Sequence, residues 1–143
     1  EGSITAEDDT LNNAAIDFSA DISSLETRHP DRNGHLLSAD FFDVEKFPTA
    51  TFIAKDVMPN GTSTTEYTVK GDMTIKGITK EISIPVTFDR TNPDMTVAKG
   101  SVDLDRTLWD IKYGSDKFFQ GLGDNIIDDM FNISFEMKLS TNK

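Results

Sequence analysis

Cysteine is absent from the 143 residues, which removes thiol nucleophiles, thiolate metal sites and disulfide staples together. The absence does not fix a compartment, because an exported domain with a good core folds without disulfides. Basic charge is scarce: 14 Lys and Arg face 25 Asp and Glu, a formal net charge of −11. Such a surface repels phosphate and excludes the counterion release that drives nucleic-acid binding. It also lacks the polybasic patch that docks on anionic lipid. No apolar run approaches the roughly 18–20 residues of a bilayer-crossing helix. Glu1-Gly2-Ser3-Ile4 carries no basic n-region or apolar h-region, so the chain is expected to be cytosolic or to have lost a leader. Neither a GxSxG elbow nor a GxxxxGK[ST] phosphate loop occurs.

What the chain does have is a period of two. Ile16, Phe18, Ala20 and Ile22 alternate with Asp17, Ser19, Asp21 and Ser23, the pattern of a half-buried strand. Phe131, Ile133, Phe135, Met137 and Leu139 repeat it at the C-terminal end, and Ile82, Ile84, Val86 and Phe88 repeat it between. Sixteen threonines add a β-branched bias towards strand. Pro59-Asn60-Gly61, Lys76-Gly77 and Thr91-Asn92-Pro93-Asp94 divide the runs with turns too short for parallel crossovers. These features predict a mainly antiparallel, all-β domain covering residues 1–143. Gly71 and Gly100, inside strand patterns, read as bulges or tight bends that help the sheet curl into a barrel.

One stretch breaks the period. Leu36, Leu37, Asp40 and Phe41 fit helical spacing, and Pro48 stops whatever precedes it. One or two short helical turns are expected between Asp31 and Val44, with a strand resuming at Thr49.

Candidate chemistry is sparse. Asp103-Leu104-Asp105-Arg106-Thr107 spells the DxDxT nucleophile motif of dehalogenase-like phosphatases. That chemistry needs a parallel sheet with helices, and the motif instead continues an alternation with Val102 and Leu104 inward, as a solvated strand face would. His29 and His35 lack metal-pair spacing and read as loop histidines, with Asp31 or Asp40 within reach as partners. The adjacent acids Asp8-Asp9 and Asp128-Asp129 read as solvated turns. No catalytic residue and no metal site is assigned. The apolar face is more informative, because Ala50, Phe52 and Ala54 share one strand face and Ala14, Ile16, Phe18 and Ala20 another. Alternating small and large residues either fill the taper of a small barrel or leave a dry cavity for an apolar ligand.

The stretch His35-Leu36-Leu37-Ser38-Ala39-Asp40-Phe41-Phe42-Asp43-Val44-Glu45-Lys46-Phe47-Pro48-Thr49-Ala50-Thr51-Phe52 closely resembles the HLxSxDFFDVEKYPTxTF signature of the YceI-like family. Tyr67-Thr68-Val69-Lys70-Gly71-Asp72-Met73-Thr74-Ile75-Lys76-Gly77 is similar to its YxVxGxLTIxG hairpin, and Gly121-Leu122-Gly123-Asp124 to its LGD turn. Asp105-Arg106 occupies the place of a family (N/D)R pair. The resemblance implies a lipocalin-like antiparallel barrel with a short helical insertion, and a periplasmic or secreted, non-enzymatic protein. Its implied task is to bind and carry or sequester an amphiphilic lipid, such as a polyisoprenoid of quinone or polyprenyl type. No cofactor is implied beyond a bound isoprenoid or fatty-acyl chain.

Strand parity gives the expected wall of that pocket: Ile16, Phe18, Phe52, Val69, Ile84, Val86, Phe88, Trp109, Ile111, Phe131, Ile133 and Phe135, with Phe41 and Phe42 at the mouth. The resemblance further implies one or two strands upstream of Glu1. Without them an open edge would invite a second copy of the chain to pair. Two rival readings carry their own tests. A filled barrel serving as a stress-response or interaction module predicts no cavity of ligand size. A hydrolase or isomerase using His29 or His35 as base predicts a histidine reaching the pocket.

Overall fold

The period-two segments become strands. In a computed structural model, residues 2–5, 14–92 and 94–140 are described; Asp8-Asp9 and Pro93 lie outside them. Among the described residues seven strands make one sheet: β1 (Gly2–Thr5), β2 (Ala15–Asp21), β3 (Thr49–Pro59), β4 (Glu66–Ile75), β5 (Ile78–Asn92), β6 (Met95–Asp105) and β7 (Met130–Ser140). They lie side by side in chain order, each antiparallel to the next. Short turns join β3 to β4 and β4 to β5, and longer connections span residues 22–48 and 106–129. At Lys76-Gly77 both φ angles are positive, 51° and 71°, the left-handed pair that matches a two-residue hairpin to the twist of its strands.

Burial follows the alternation. Tyr67, Val69, Met73 and Ile75 are buried on β4, and Ile84, Val86 and Phe88 on β5. On β3 the inward residues are Ala50 and Phe52 until the register with β4 slips between Ala54 and Asp56. Past that bulge the inward parity passes to Val57, which keeps Asp56 out of the core. Gly71 sits opposite the bulge, where a Cβ would run into the Ile53 carbonyl and lie 2.8 Å from the Phe52 ring. Gly100, read as a bulge or a tight bend, carries no register shift. The ladder to β7 passes through it unbroken, the ladder to β5 ends at its pairing with Val86, and its bare Cα makes room for the Phe135 ring.

The predicted break in periodicity holds α1 (Pro30–Leu37), with Pro30 in its first turn and Ser38 at its end. Pro suits that opening position, because its fixed φ is already helical and its missing N–H would have been unpaired. Thr49 starts β3, as Pro48 requires.

The sheet curls until its two ends face each other. Phe18 on β2 and Phe135 on β7 stack with ring centroids 6.4 Å apart, and Gly2 on β1 lies against Met137. Among the described residues no hydrogen-bonded ladder joins β1 to β7. The barrel is therefore a half-barrel, curled but not stitched along that seam. Gly71→Ala is expected to cost about 1–3 kcal/mol, the range for overpacking against backbone. Gly100→Ala presses mainly on the partly exposed Phe135 ring and should cost less. Urea midpoints of the two variants, measured side by side, check that order.

Candidate functional site

The inner faces of all seven strands enclose a cavity of about 640 Å³, within the range of small-molecule sites. Ile16 and Phe18 come from β2, Phe52 from β3, Val69, Met73 and Ile75 from β4, and Ile84, Val86 and Phe88 from β5. Phe131, Ile133, Phe135 and Met137 supply the β7 wall, and Ile4 on β1 completes it. Space is left because Ala20, Ala50 and Ala98 stand where larger side chains would meet across the interior. Phe88 closes one end, its ring held edge-on by Tyr67 at 5.4 Å. At the opposite end, where β2 finishes and β7 begins, Ile22, Leu25, Glu26 and Phe42 surround the mouth. Among the described residues the polar members of the lining are Glu26, Asn132 and Ser134. The two on β7 are outward by parity and reach the rim because β7 is the last strand of the curl. A wall of this kind gives water few partners and suits an elongated apolar chain.

Of the expected wall residues, Ile16, Phe18, Phe42, Phe52, Val69, Ile84, Val86, Phe88, Phe131, Ile133 and Phe135 line the cavity, and Phe41, Trp109 and Ile111 do not. Parity was carried too far for the last two. Strand β6 stops at Asp105, and Trp109 ends a 3-10 turn (Arg106–Trp109). Trp109 and Ile111 are buried in solid core beside the cavity, with Trp109 Nε1 donating to the Met73 carbonyl at 3.3 Å. Phe41 follows α1 and packs on His35 (5.0 Å), Tyr113 (5.5 Å) and the Arg106 guanidinium (5.9 Å). Met73, Ile75 and Met137 share the parity of neighbours that were predicted, so their signal was present in the sequence. Leu25 and Glu26 fall in an aperiodic stretch that gave none.

Arg106 is the residue whose role sequence reasoning missed. It is 5% exposed and donates to three backbone carbonyls: Asp128 at 2.9 Å, Ile111 at 2.8 Å and Ile127 at 2.9 Å. Its charge faces the Asp129 carboxylate at 3.5 Å, and Lys117 joins Asp129 (3.0 Å) to Asp105 (2.7 Å). Asp128 is exposed, as a solvated turn leaves it, whereas Asp129 is turned in against Arg106 and Lys117. Asp105 likewise does more than face solvent, accepting from the Thr107 amide at 2.9 Å and its hydroxyl at 2.6 Å. Together these bonds tie both ends of the β6–β7 loop to the sheet.

Neither histidine lines the cavity. His29 is exposed, and His35, half-buried between the Phe41 and Tyr113 rings, pairs its Nε2 with Asp40 Oδ2 at 2.9 Å. The histidine-base reading fails on its own criterion.

An all-antiparallel half-barrel wrapped around an apolar cavity defines a class of single-sheet β-cups. The chain belongs to the YceI-like domain family, whose family model matches residues 1–139. A UPF0312 protein of Photorhabdus laumondii is 35% identical over 82 residues, 57% of this chain and 41% of that protein. One from Pseudomonas syringae pv. tomato is 42% identical over 72 residues, 50% of this chain and 36% of that protein. The matched stretch thus spans about two fifths of these curated relatives. Among solved structures, Burkholderia cenocepacia BcnA superposes with a TM-score of 0.83 at 22% identity, covering 97% of this chain and 82% of BcnA. The Campylobacter jejuni YceI protein gives 0.77 at 18%, covering 100% and 82%. A polyisoprenoid binding domain from Saccharophagus degradans, implicated in plant cell wall breakdown, gives 0.68 at 14%, covering 90% and 77%. At these identities the likeness shows the fold.

The ion cluster has a pH signature. Asp105 is pushed down to about 2, chiefly by the Lys117 ammonium and then by the Thr107 hydroxyl. A carboxyl depressed in the folded state stabilises it above the ordinary carboxylate value and loses that contribution as pH falls from about 4 towards 2. Asp105→Asn is expected to lower stability at neutral pH and to flatten its fall across that window. Urea midpoints measured from pH 5 to pH 2 check it.

Proposed function

We propose that this protein binds the apolar chain of an amphiphilic lipid, of polyisoprenoid type, inside the half-barrel, and carries or sequesters it without chemical change. One observation carries the reading: a cavity of about 640 Å³ whose wall, among the described residues, is apolar apart from Glu26, Asn132 and Ser134. A ligand chain gains about 0.8 kcal/mol for each CH₂ taken out of water, so burial alone holds it. The filled-barrel alternative predicts no space of ligand size, and the cavity counts against it. The binding activity of the S. degradans domain supports the same ligand class. The proposal extends to an exported protein, periplasmic or secreted, where a lipid has to pass through water between membranes.

The mouth bears on the head group. Glu26 places a carboxylate there, which disfavours a phosphate by like-charge repulsion and accepts a hydrogen bond from a hydroxyl. An uncharged head, as in a polyprenol or a quinone, fits better than a polyprenyl phosphate.

Native mass spectrometry of the purified protein, followed by organic extraction, tests the carriage directly, and a stoichiometric prenyl or acyl lipid is expected. Ala50→Leu combined with Ala98→Leu should fill the interior and weaken uptake of a fluorescent polyprenol by roughly ten-fold or more. Undiminished uptake by a folded double variant would place the ligand elsewhere. Glu26→Gln is expected to improve binding of polyprenyl phosphate and leave polyprenol binding unchanged, as read by competition for the same probe.

A further inference from the structure

Large apolar side chains are exposed in one region. Of the nine large hydrophobic residues exposed among the described residues, seven fall between Leu108 and Met130. Leu108, Phe118, Phe119, Ile126 and Met130 each show about half of their surface to solvent. Scattered apolar residues on a surface need no explanation, but a cluster of this kind marks an interaction site.

The loop that carries them is held in place, and it leaves and rejoins the sheet at the end that bears the mouth. The Ile127 amide donates to the Gly114 carbonyl at 2.8 Å, joining the two halves of the β6–β7 loop. The Lys112 ammonium lies 4.9 Å from the centre of the Phe118 ring. Arg106 fixes the loop to the sheet end at the Ile111, Ile127 and Asp128 carbonyls. Met130 precedes Phe131, which lines the cavity, and Tyr113 packs on Phe41, whose neighbour Phe42 lies at the mouth.

We infer that the β6–β7 loop docks the half-barrel, mouth first, on the surface of a zwitterionic lipid bilayer. The inference rests on the lipid-carrying reading, because an insoluble chain must enter the mouth from a membrane. Charge selects the occupant. Residues 105–130 hold six carboxylates against three basic side chains, so anionic lipid is repelled. A second copy would set the same carboxylates against each other, on chains that each carry −11. A zwitterionic surface meets neither penalty. Aromatic rings sit well at the headgroup level, and the lysine stems can lie along them with the ammonium groups in water.

Sedimentation with phosphatidylcholine vesicles at physiological salt tests the inference. The full chain should partition onto the vesicles, and Phe118→Ser combined with Phe119→Ser should reduce partition by roughly ten-fold or more. Leu108→Ser with Ile126→Ser should do the same by an independent route. Ile53→Ser, an exposed position on the outer face of β3, should change nothing. Replacing part of the lipid by phosphatidylglycerol at low salt should weaken partition. Absence of wild-type partition, with polyprenol still taken up from detergent, overturns docking and leaves carriage standing. Partition without any uptake keeps docking and removes carriage. A dimer in sedimentation velocity that Phe118→Ser/Phe119→Ser dissolves would make the patch an interface between copies and overturn the inference.

Discussion

A strand must send successive side chains to opposite faces, so the interior of a curled sheet holds only what the inward set supplies. Here that set does not fill it. Ala20, Ala50 and Ala98 stand among phenylalanines and branched aliphatics, and the volume they decline to occupy is the cavity. The same constraint governs the curl. Gly71 accepts the kinked Ile53–Ala54 backbone, and Gly100 accepts the Phe135 ring, so the sheet can close in without its inner side chains colliding. Large residues at those positions would flatten the sheet or fill the hollow, and either change removes the site.

Stability and function are divided along the axis of the cup. One end is solid: Val57, Tyr67 and Phe88 are buried together and shut the cavity there. The end that bears the mouth is bordered by two irregular stretches that carry few backbone ladder bonds of their own. One runs from Ile22 to Pro48 and includes α1; the other runs from Arg106 to Asp129. Both are fastened by side chains that reach main-chain atoms, with Asp21 accepting from the Ser23 amide and Arg106 donating to three carbonyls. Trp109, fully buried, adds an apolar plug beneath the second stretch.

Much of this was legible in the sequence because alternation is a local signal. The faces of β2, β4, β5 and β7 follow from it, and so do the wall positions Phe18, Val69, Ile84 and Phe135. The turn at Lys76-Gly77 and the restart at Thr49 were equally local. Reading failed where the period ended without a glycine or proline to mark the end. Trp109 and Ile111 continue the β6 parity on paper, but the chain has already turned after Asp105. Arg106 was illegible for a different reason. Its partners are backbone carbonyls up to 22 positions away, and a carbonyl has no letter in a sequence. The open seam is not written in the alternation, which specifies which face is inside and says nothing of whether the first strand reaches the last.

The anchoring of the β6–β7 loop has a consequence for variation. Arg106 recognises the path of the main chain, and the groups it holds at Ile111, Ile127 and Asp128 are ones that every amino acid supplies. The clamp therefore places little demand on the identities between those points. Exposed positions such as Asp116, Gln120 and Asp124 are free to drift while the loop keeps its station over the sheet, whereas Lys117 is held by Asp105 and Asp129. A single buried cation thus separates the inheritance of a scaffold from the diversification of its rim.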